Sequence, residues 1–269
     1  MNPVLRVTDV EFGYHPGKPV LRDISFEVSP GEVFIILGAN GCGKSTLMRT
    51  ILGECKPTSG RITVGGDDVA SLGVKQLAQR MAMVFQDHSA PFPFTVLDVV
   101  KMGRTPHLSP FASPTKKDNV ICLEALETVG LKDLAFELYT QLSGGERQLV
   151  LIARALAQRT GVVLMDEPTS HLDYRNATTV ISTAHTLAHE QDKAVVMITH
   201  LPDQAFYYPS CVALMRNGRF FASGPSEAVL TSENLSEVYG MDMLVLTASD
   251  ESGRRYLTCR PALSDPRSM

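Results

Sequence analysis

The chain has 269 residues, 44% hydrophobic and 20% charged, with 25 basic against 29 acidic side chains for a net charge of −4. That composition excludes a mainly disordered chain and leaves length for one large or two modest domains around a buried core. Its longest apolar runs, such as Val33–Leu37, fall far short of the ~18 residues of a membrane-spanning helix, and its mild acidity argues against a general nucleic-acid binder.

Residues 1–10 carry no apolar signal core, so the chain is expected to stay inside the cell. Stretches 4–10 and 20–28 alternate apolar and polar residues, and Gly13, Pro16 and Gly17 supply a turn between them, which predicts paired strands. Val33–Leu37 is fully apolar, as expected of a strand buried on both faces. A glycine-rich turn, a helical stretch 44–52 and a short apolar strand 81–85 follow. From about 88 to 160 the patterns are helical, over 95–102, 119–129 and 145–158. In the last of these, Leu149, Ile152, Ala153 and Leu156 form one apolar stripe. Strand–helix alternation then resumes with Val162–Asp166, a helix over 174–190, Ala194–Thr199, and a hairpin of 211–215 with 219–222 around Asn217-Gly218. Beyond Gly240 the pattern predicts two short strands, 244–247 and 256–259. The whole reads as an α/β body with a helical insertion. The five cysteines are dispersed with no C-x-x-C pair, which suits a reducing compartment and argues against a disulfide framework or zinc site.

Gly38-Ala39-Asn40-Gly41-Cys42-Gly43-Lys44-Ser45 fits G-x-x-x-x-G-K-[ST] between an apolar strand and a helix. Glycines let several N–H groups converge on one phosphate, and the helix start adds further donors and a positive dipole end. Lys44 offers a charge to the β and γ phosphates, and Ser45 a hydroxyl to Mg²⁺. Cys42 lies inside the loop, where a helix start lowers a thiol pKa, so alkylation is expected to stop turnover and nucleotide to protect. The run Val162-Val163-Leu164-Met165-Asp166 ends a strand in an acid, at the edge where open α/β sheets bind ligands. Successive side chains on extended backbone point apart. Asp166 is therefore expected to face the metal and Glu167 an attacking water.

Leu142-Ser143-Gly144-Gly145-Glu146 opens the amphipathic helix. Ser143 and Glu146 form a capping box, and the two glycines leave backbone N–H groups open to an anion. With this motif the sequence closely resembles the ATP-binding cassette (ABC) ATPases. The P-loop, Gln86, residues 142–146, Asp166-Glu167 and His200 stand in that family's order, and the likeness runs from Leu5 to about Gly240.

The resemblance implies an α/β fold with a RecA-like P-loop NTPase core, an antiparallel β subdomain and an inserted α-helical subdomain. The core would comprise residues 1–86 and 160–240, the helical signature subdomain 87–159, and a small tail 241–269. Tyr14 resembles the aromatic that stacks on adenine, and Thr46 joins the P-loop residues in the nucleotide site. Gln86 resembles the Q-loop glutamine, completing with Ser45 and Asp166 a Mg²⁺ site in which Asp166 acts through water. Glu167 resembles the general base and His200 the switch histidine at the γ-phosphate. Ser170-His171-Leu172-Asp173 resembles the D-loop that connects two cassettes. Ser143, Gly144, Gly145 and Glu146 of one copy would cover ATP held by the P-loop of another, so a homodimer is implied. Glu146 and His171 depart from the commoner residues of these motifs.

A cassette with no spanning segment implies a separate membrane permease, docked near Gln86 and residues 88–104, at the cytoplasmic face of the membrane. The apolar, proline-stiffened Ala90-Pro91-Phe92-Pro93-Phe94 would seat the partner, whereas His88 and His107 are expected to be surface or docking residues. Residues 95–100 with 103–107 resemble importers of iron–siderophore, haem and cobalamin, and also the molybdate/tungstate importers; residues 149–156 and 230–235 lean the same way. Such importers work with an extracytoplasmic substrate-binding protein. The competing class is a soluble ABC ATPase acting on nucleic acid or ribosomes, but the single signature and absence of a heptad run do not suit it.

Overall fold

The computed structural model describes residues 4–85, 93–109, 111–170, 172–208, 210–253 and 255–262. Strands β1 (Leu5–Phe12) and β2 (Leu21–Val28) pair antiparallel, as their alternation predicts. On the other side of β1 lies β4 (Ser59–Val64), followed by the two-residue β5 (Asp67–Asp68), giving a four-stranded antiparallel sheet.

The second sheet runs β10 (Arg219–Pro225), β9 (Cys211–Arg216), β3 (Val33–Leu37), β8 (Ala194–Thr199), β7 (Val162–Asp166), β6 (Met81–Val84). From β9 to β6 the strands are parallel, while β10 returns antiparallel through Asn217-Gly218, both at positive φ as a two-residue hairpin requires. The fully apolar strands are explained by two cores. On β3, Val33, Ile35 and Leu37 enter one core, and Phe34 and Ile36 the other. The same alternation divides β7 and β8.

On one face, α1 (Lys44–Ile51) inserts Leu47, Met48 and Ile51 beneath the antiparallel sheet. The short α2 (Val74–Ala78) buries no residue. The opposite face carries α3 (Val96–Lys101), α4 (Lys116–Thr128), α5 (Gly144–Ala157) and α6 (Tyr174–His189). Helices α3, α4 and α5 each start at a capping box, Thr95/Asp98, Thr115/Asp118 and Ser143/Glu146. The α5 stripe is buried as read, and Val150, Leu151, Ala155 and Ala157 are buried too, because α5 packs against α3, α4 and the sheet together. After β10 come α7 (Ser226–Val229) and α8 (Ser232–Tyr239), then an antiparallel hairpin of β11 (Met243–Ser249) and β12 (Arg255–Pro261), longer than the two strands expected there.

Candidate functional site

The parallel register decides which residues meet. Leu37 pairs with Thr199, Asp166 with Ile198 and Val84 with Met165, so β3, β6, β7 and β8 end along one edge. The residues that follow them, including Gly38, Glu167 and His200, are delivered to that edge.

After β3 the chain turns through the glycine-rich loop into α1. Gly43 caps the helix at φ 114°, a conformation an L side chain rarely adopts. Lys44, only 5% exposed, donates from Nζ to the carbonyls of Gly38 at 2.7 Å and Ala39 at 3.0 Å. Its ammonium is thus folded back over the loop rather than turned to solvent. Lys44, Arg49 and the Ser45 hydroxyl all favour the charged form of the Asp166 carboxylate. Burial raises the Asp166 pKa first and neighbouring Glu167 second, against the lowering by Lys44, Arg49 and Ser45. Two acids and a lysine therefore share a partly dehydrated edge, an arrangement suited to a polyanion with its cation. Tyr14, half exposed, stands edge-on to Phe12 at 4.9 Å, with its hydroxyl 3.5 Å from that of Thr46. That brings an aromatic face to the start of α1.

Glu167 has positive φ, 45°, and its N–H donates to the Ile198 carbonyl at 3.0 Å. From this turn its carboxylate reaches His200, whose Nδ1 lies 3.1 Å from Glu167 Oε2. Ser170 Oγ donates to the same oxygen at 2.9 Å. Behind them, buried Gln204 accepts from Thr169 Oγ1 at 3.0 Å and Thr199 Oγ1 at 2.9 Å, tying the two loops together. The sequence places Ser170 only as part of the D-loop, and Thr169, Thr199 and Gln204 carry no motif by which the sequence alone would assign them to this edge.

The second group forms at α5. The Glu146 carboxylate accepts from Ser143 N–H at 2.8 Å and Ser143 Oγ at 2.7 Å, bonds that lower its pKa. Asp173 caps α6 by accepting from Asn176 N–H at 2.8 Å, and Asn176 Nδ2 donates to its other oxygen at 3.1 Å. Asn176 in turn fills the space beside Gly145, where a Cβ would lie 2.2 Å from it. Gly144 has open space around the same position. The structure thus joins the 143–146 motif to Asp173 through Asn176, a link absent from the sequence reading.

Gln86, His88 and the 90–92 part of the expected docking segment lie outside the described residues, as does His171. Gln148, buried on α5, donates to the Phe85 carbonyl at 3.5 Å, immediately before Gln86. His107 Nε2 lies 2.7 Å from the Gln158 carbonyl, which accounts for it as a surface contact between segments. Cys42 corrects an expectation: its thiol pKa is raised, because burial outweighs the lowering by Lys44 and the nearby main-chain N–H groups.

The ABC transporter family profile matches residues 21–170. The chain belongs to the ABC transporter family. The hemin import ATP-binding protein HmuV of Bordetella pertussis is 40% identical over 252 residues, 91% of this chain and 95% of the relative. The molybdate import ATP-binding protein MolC of Haemophilus influenzae is 38% identical over 243 residues, 90% of each. Among solved structures, a metal-chelate type ABC transporter in an inward-facing conformation aligns with TM-score 0.87 at 35% identity, covering 97% of this chain and 98% of that one. An ATP-binding cassette in its ADP conformation aligns with TM-score 0.80 at 26% identity, over 88% and 98%.

This ABC protein therefore has the P-loop NTPase fold and is an ATPase whose hydrolysis is coupled to transport. Subunits of this kind dimerise and work with membrane permease components. No helix among the described residues is long and apolar enough to cross a membrane. The donor chemistry at the edge suits Mg²⁺: the Ser45 hydroxyl lies close enough to the Asp166 carboxylate to lower its pKa, and both are hard oxygen ligands. No cluster of three or more His, Cys, Asp or Glu among the described residues could hold a metal by itself.

Proposed function

We propose that this chain is the ATP-hydrolysing subunit of an importer for a metal complex of the iron–siderophore, haem or cobalamin type. It would act as a homodimer on the cytoplasmic face of the membrane, bound to separate permease subunits fed by an extracytoplasmic substrate-binding protein. The observation that carries the chemistry is the convergence of Lys44, Ser45, Asp166, Glu167 and His200 at one sheet edge. The cargo class is supported by the 40% identity to the hemin importer and the likeness to the metal-chelate type transporter. Molybdate is the second reading, supported by the 38% identity to MolC.

In this reading the loop 38–46 holds the triphosphate, with Lys44 leaving its carbonyl partners for the β and γ oxygens, and Tyr14 lies against the base. Ser45, Gln86 and Asp166 would hold Mg²⁺, Asp166 through water; the ion neutralises charge on the phosphates when bound. Water attacks the γ-phosphorus, its oxygen forms the new bond, the β–γ bridging bond breaks, and Glu167 takes the proton. His200 orients that carboxylate and reaches toward the γ-phosphate. The triphosphate is covered by Ser143, Gly144, Gly145 and Glu146 of the second copy, with Asp173 at the seam. Residues 87–159 would turn as one helical lobe against a core of 1–86 and 160–240, passing the change to the permease.

The test is reconstitution with a candidate permease and its substrate-binding protein, in vesicles loaded with ATP and Mg²⁺. Uptake of radiolabelled haem, ferric siderophore or cobalamin that stops with the Lys44→Ala subunit supports the reading. Uptake of molybdate alone moves the cargo to the second reading, and a chain that binds no permease and supports uptake of none of these cargoes overturns the importer role.

A further inference from the structure

His200 is the last-placed member of the catalytic edge, and among the described residues its ring is held by one hydrogen bond, to Glu167. Its main chain is held from a different part of the chain. Tyr239, the last residue of α8, donates from its hydroxyl to the His200 carbonyl at 3.1 Å. Three residues on, Asp203 Oδ1 accepts from the Cys259 N–H at 2.8 Å and the Thr258 hydroxyl at 2.9 Å, both on β12. The hairpin is itself fastened to α8, since Ser236 Oγ accepts from Met243 N–H at 2.9 Å and Ser232 Oγ from Val245 N–H at 2.8 Å. One C-terminal unit, α8 with β11–β12, therefore grips the segment after β8 at both ends.

We infer that Tyr239 is a positioning residue for ATP hydrolysis, fixing the main chain of His200 so that the imidazole keeps its place between Glu167 and the γ-phosphate. The inference rests on the proposed role of His200. Position is the quantity at stake, because a small displacement of a catalytic group lowers the rate steeply. Burial raises the Tyr239 pKa, so the phenol keeps the proton it donates at any physiological pH.

The test compares the full-length chain with its Y239F, H200A and double variants in single-turnover hydrolysis of radiolabelled ATP, where slow rates stay readable, alongside steady-state kcat and KM. Tyr239→Phe keeps the ring and its packing. It is expected to lower kcat about fivefold, the worth of one neutral hydrogen bond at the barrier, with KM for ATP within about twofold. In the H200A background the same change should have no further effect, because Tyr239 acts through His200. Asp203→Asn, which weakens the second grip, should lower kcat in the same direction. If Y239F turns over as fast as wild type while H200A is slow, the inference is overturned and the reading of His200 stands. If the Y239F and H200A losses multiply, Tyr239 acts independently of the histidine and the inference again fails. If H200A itself hydrolyses at the wild-type rate, the reading of His200 is what falls.

Discussion

Nδ1 of His200 lies 3.1 Å from Oε2 of Glu167, and the same oxygen accepts from Ser170 Oγ. The acceptor is a carboxylate, so the imidazole must donate. That leaves the second carboxylate oxygen to receive a proton from water. Replacing the acid by an amide keeps the size but removes the base. Glu167→Gln is expected to slow turnover by on the order of 100-fold or more while ATP still binds. With ATP and Mg²⁺ the variant should elute as a dimer in size-exclusion chromatography. Near-normal phosphate release would remove Glu167 from the role of base.

Gly145 and Asn176 make a second testable contact. A methyl group on Gly145 would lie 2.2 Å from the Asn176 side chain, whose Nδ2 donates to Asp173 while the Asn176 main-chain N–H donates to the other oxygen of the same carboxylate. Gly145→Ala therefore has to push against a fixed neighbour, and overpacking of this kind costs about 1–3 kcal/mol. Thermal unfolding and ATPase rate should both fall. Adding Asn176→Ala should restore most of the lost stability, because it clears the collision. A double variant no more stable than Gly145→Ala would show that the loss has another origin.

The regular parts of the fold were legible because burial imposes a period. The runs 33–37, 162–165 and 194–198 are apolar throughout because each faces two cores. Strand β4 was not legible: Ser59, Gly60 and Arg61 are exposed, and only Ile62 and Val64 enter the core. Helix α2 buries nothing, and α8 fully buries only Leu235 and Val238, too few to announce a stripe. At the site, Lys44, Asp166, Glu167 and His200 could be placed from motif spacing, since each follows or ends a parallel strand. The contacts of Gln204, Asn176 and Tyr239 could not be, because each depends on a loop meeting a helix or strand through tertiary packing. Cys42 shows the same limit. The helix start argued for a reactive thiol, but the depth of the loop decides the matter.

Cys42 therefore yields a prediction opposite to the one its helix position suggests. Burial raises its pKa above the ordinary 9.0, so the thiol form prevails at neutral pH. Even an unshifted thiol of that pKa is only about 1% thiolate at pH 7. Iodoacetamide labelling of Cys42 near pH 7 should be slow by peptide mass spectrometry, and should accelerate about tenfold per pH unit as alkali is approached. Rapid modification at pH 7 would contradict the buried thiol.

The helical layer is pinned by a buried ion pair. Arg104 Nε donates to Asp118 Oδ1 at 2.9 Å, and its Nη1 donates to the Ala157 carbonyl at 2.7 Å, linking the start of α4 to the end of α5. Both side chains are about nine-tenths buried. The Thr115 hydroxyl and N–H, then Arg104, hold the Asp118 carboxyl well below the usual range. A carboxylate with a depressed folded pKa stabilises the fold fully above its unfolded value, and that contribution is lost as pH falls through the folded one. Asp118→Asn leaves the Arg104 charge buried and unpaired and should cost about 3 kcal/mol at pH 7. The gap in unfolding midpoint between wild type and variant should hold from pH 7 down to about the ordinary 3.8 and narrow below it. Chemical denaturation of both proteins between pH 7 and pH 3 measures that gap. A gap that stays constant throughout would mean the Asp118 charge contributes nothing.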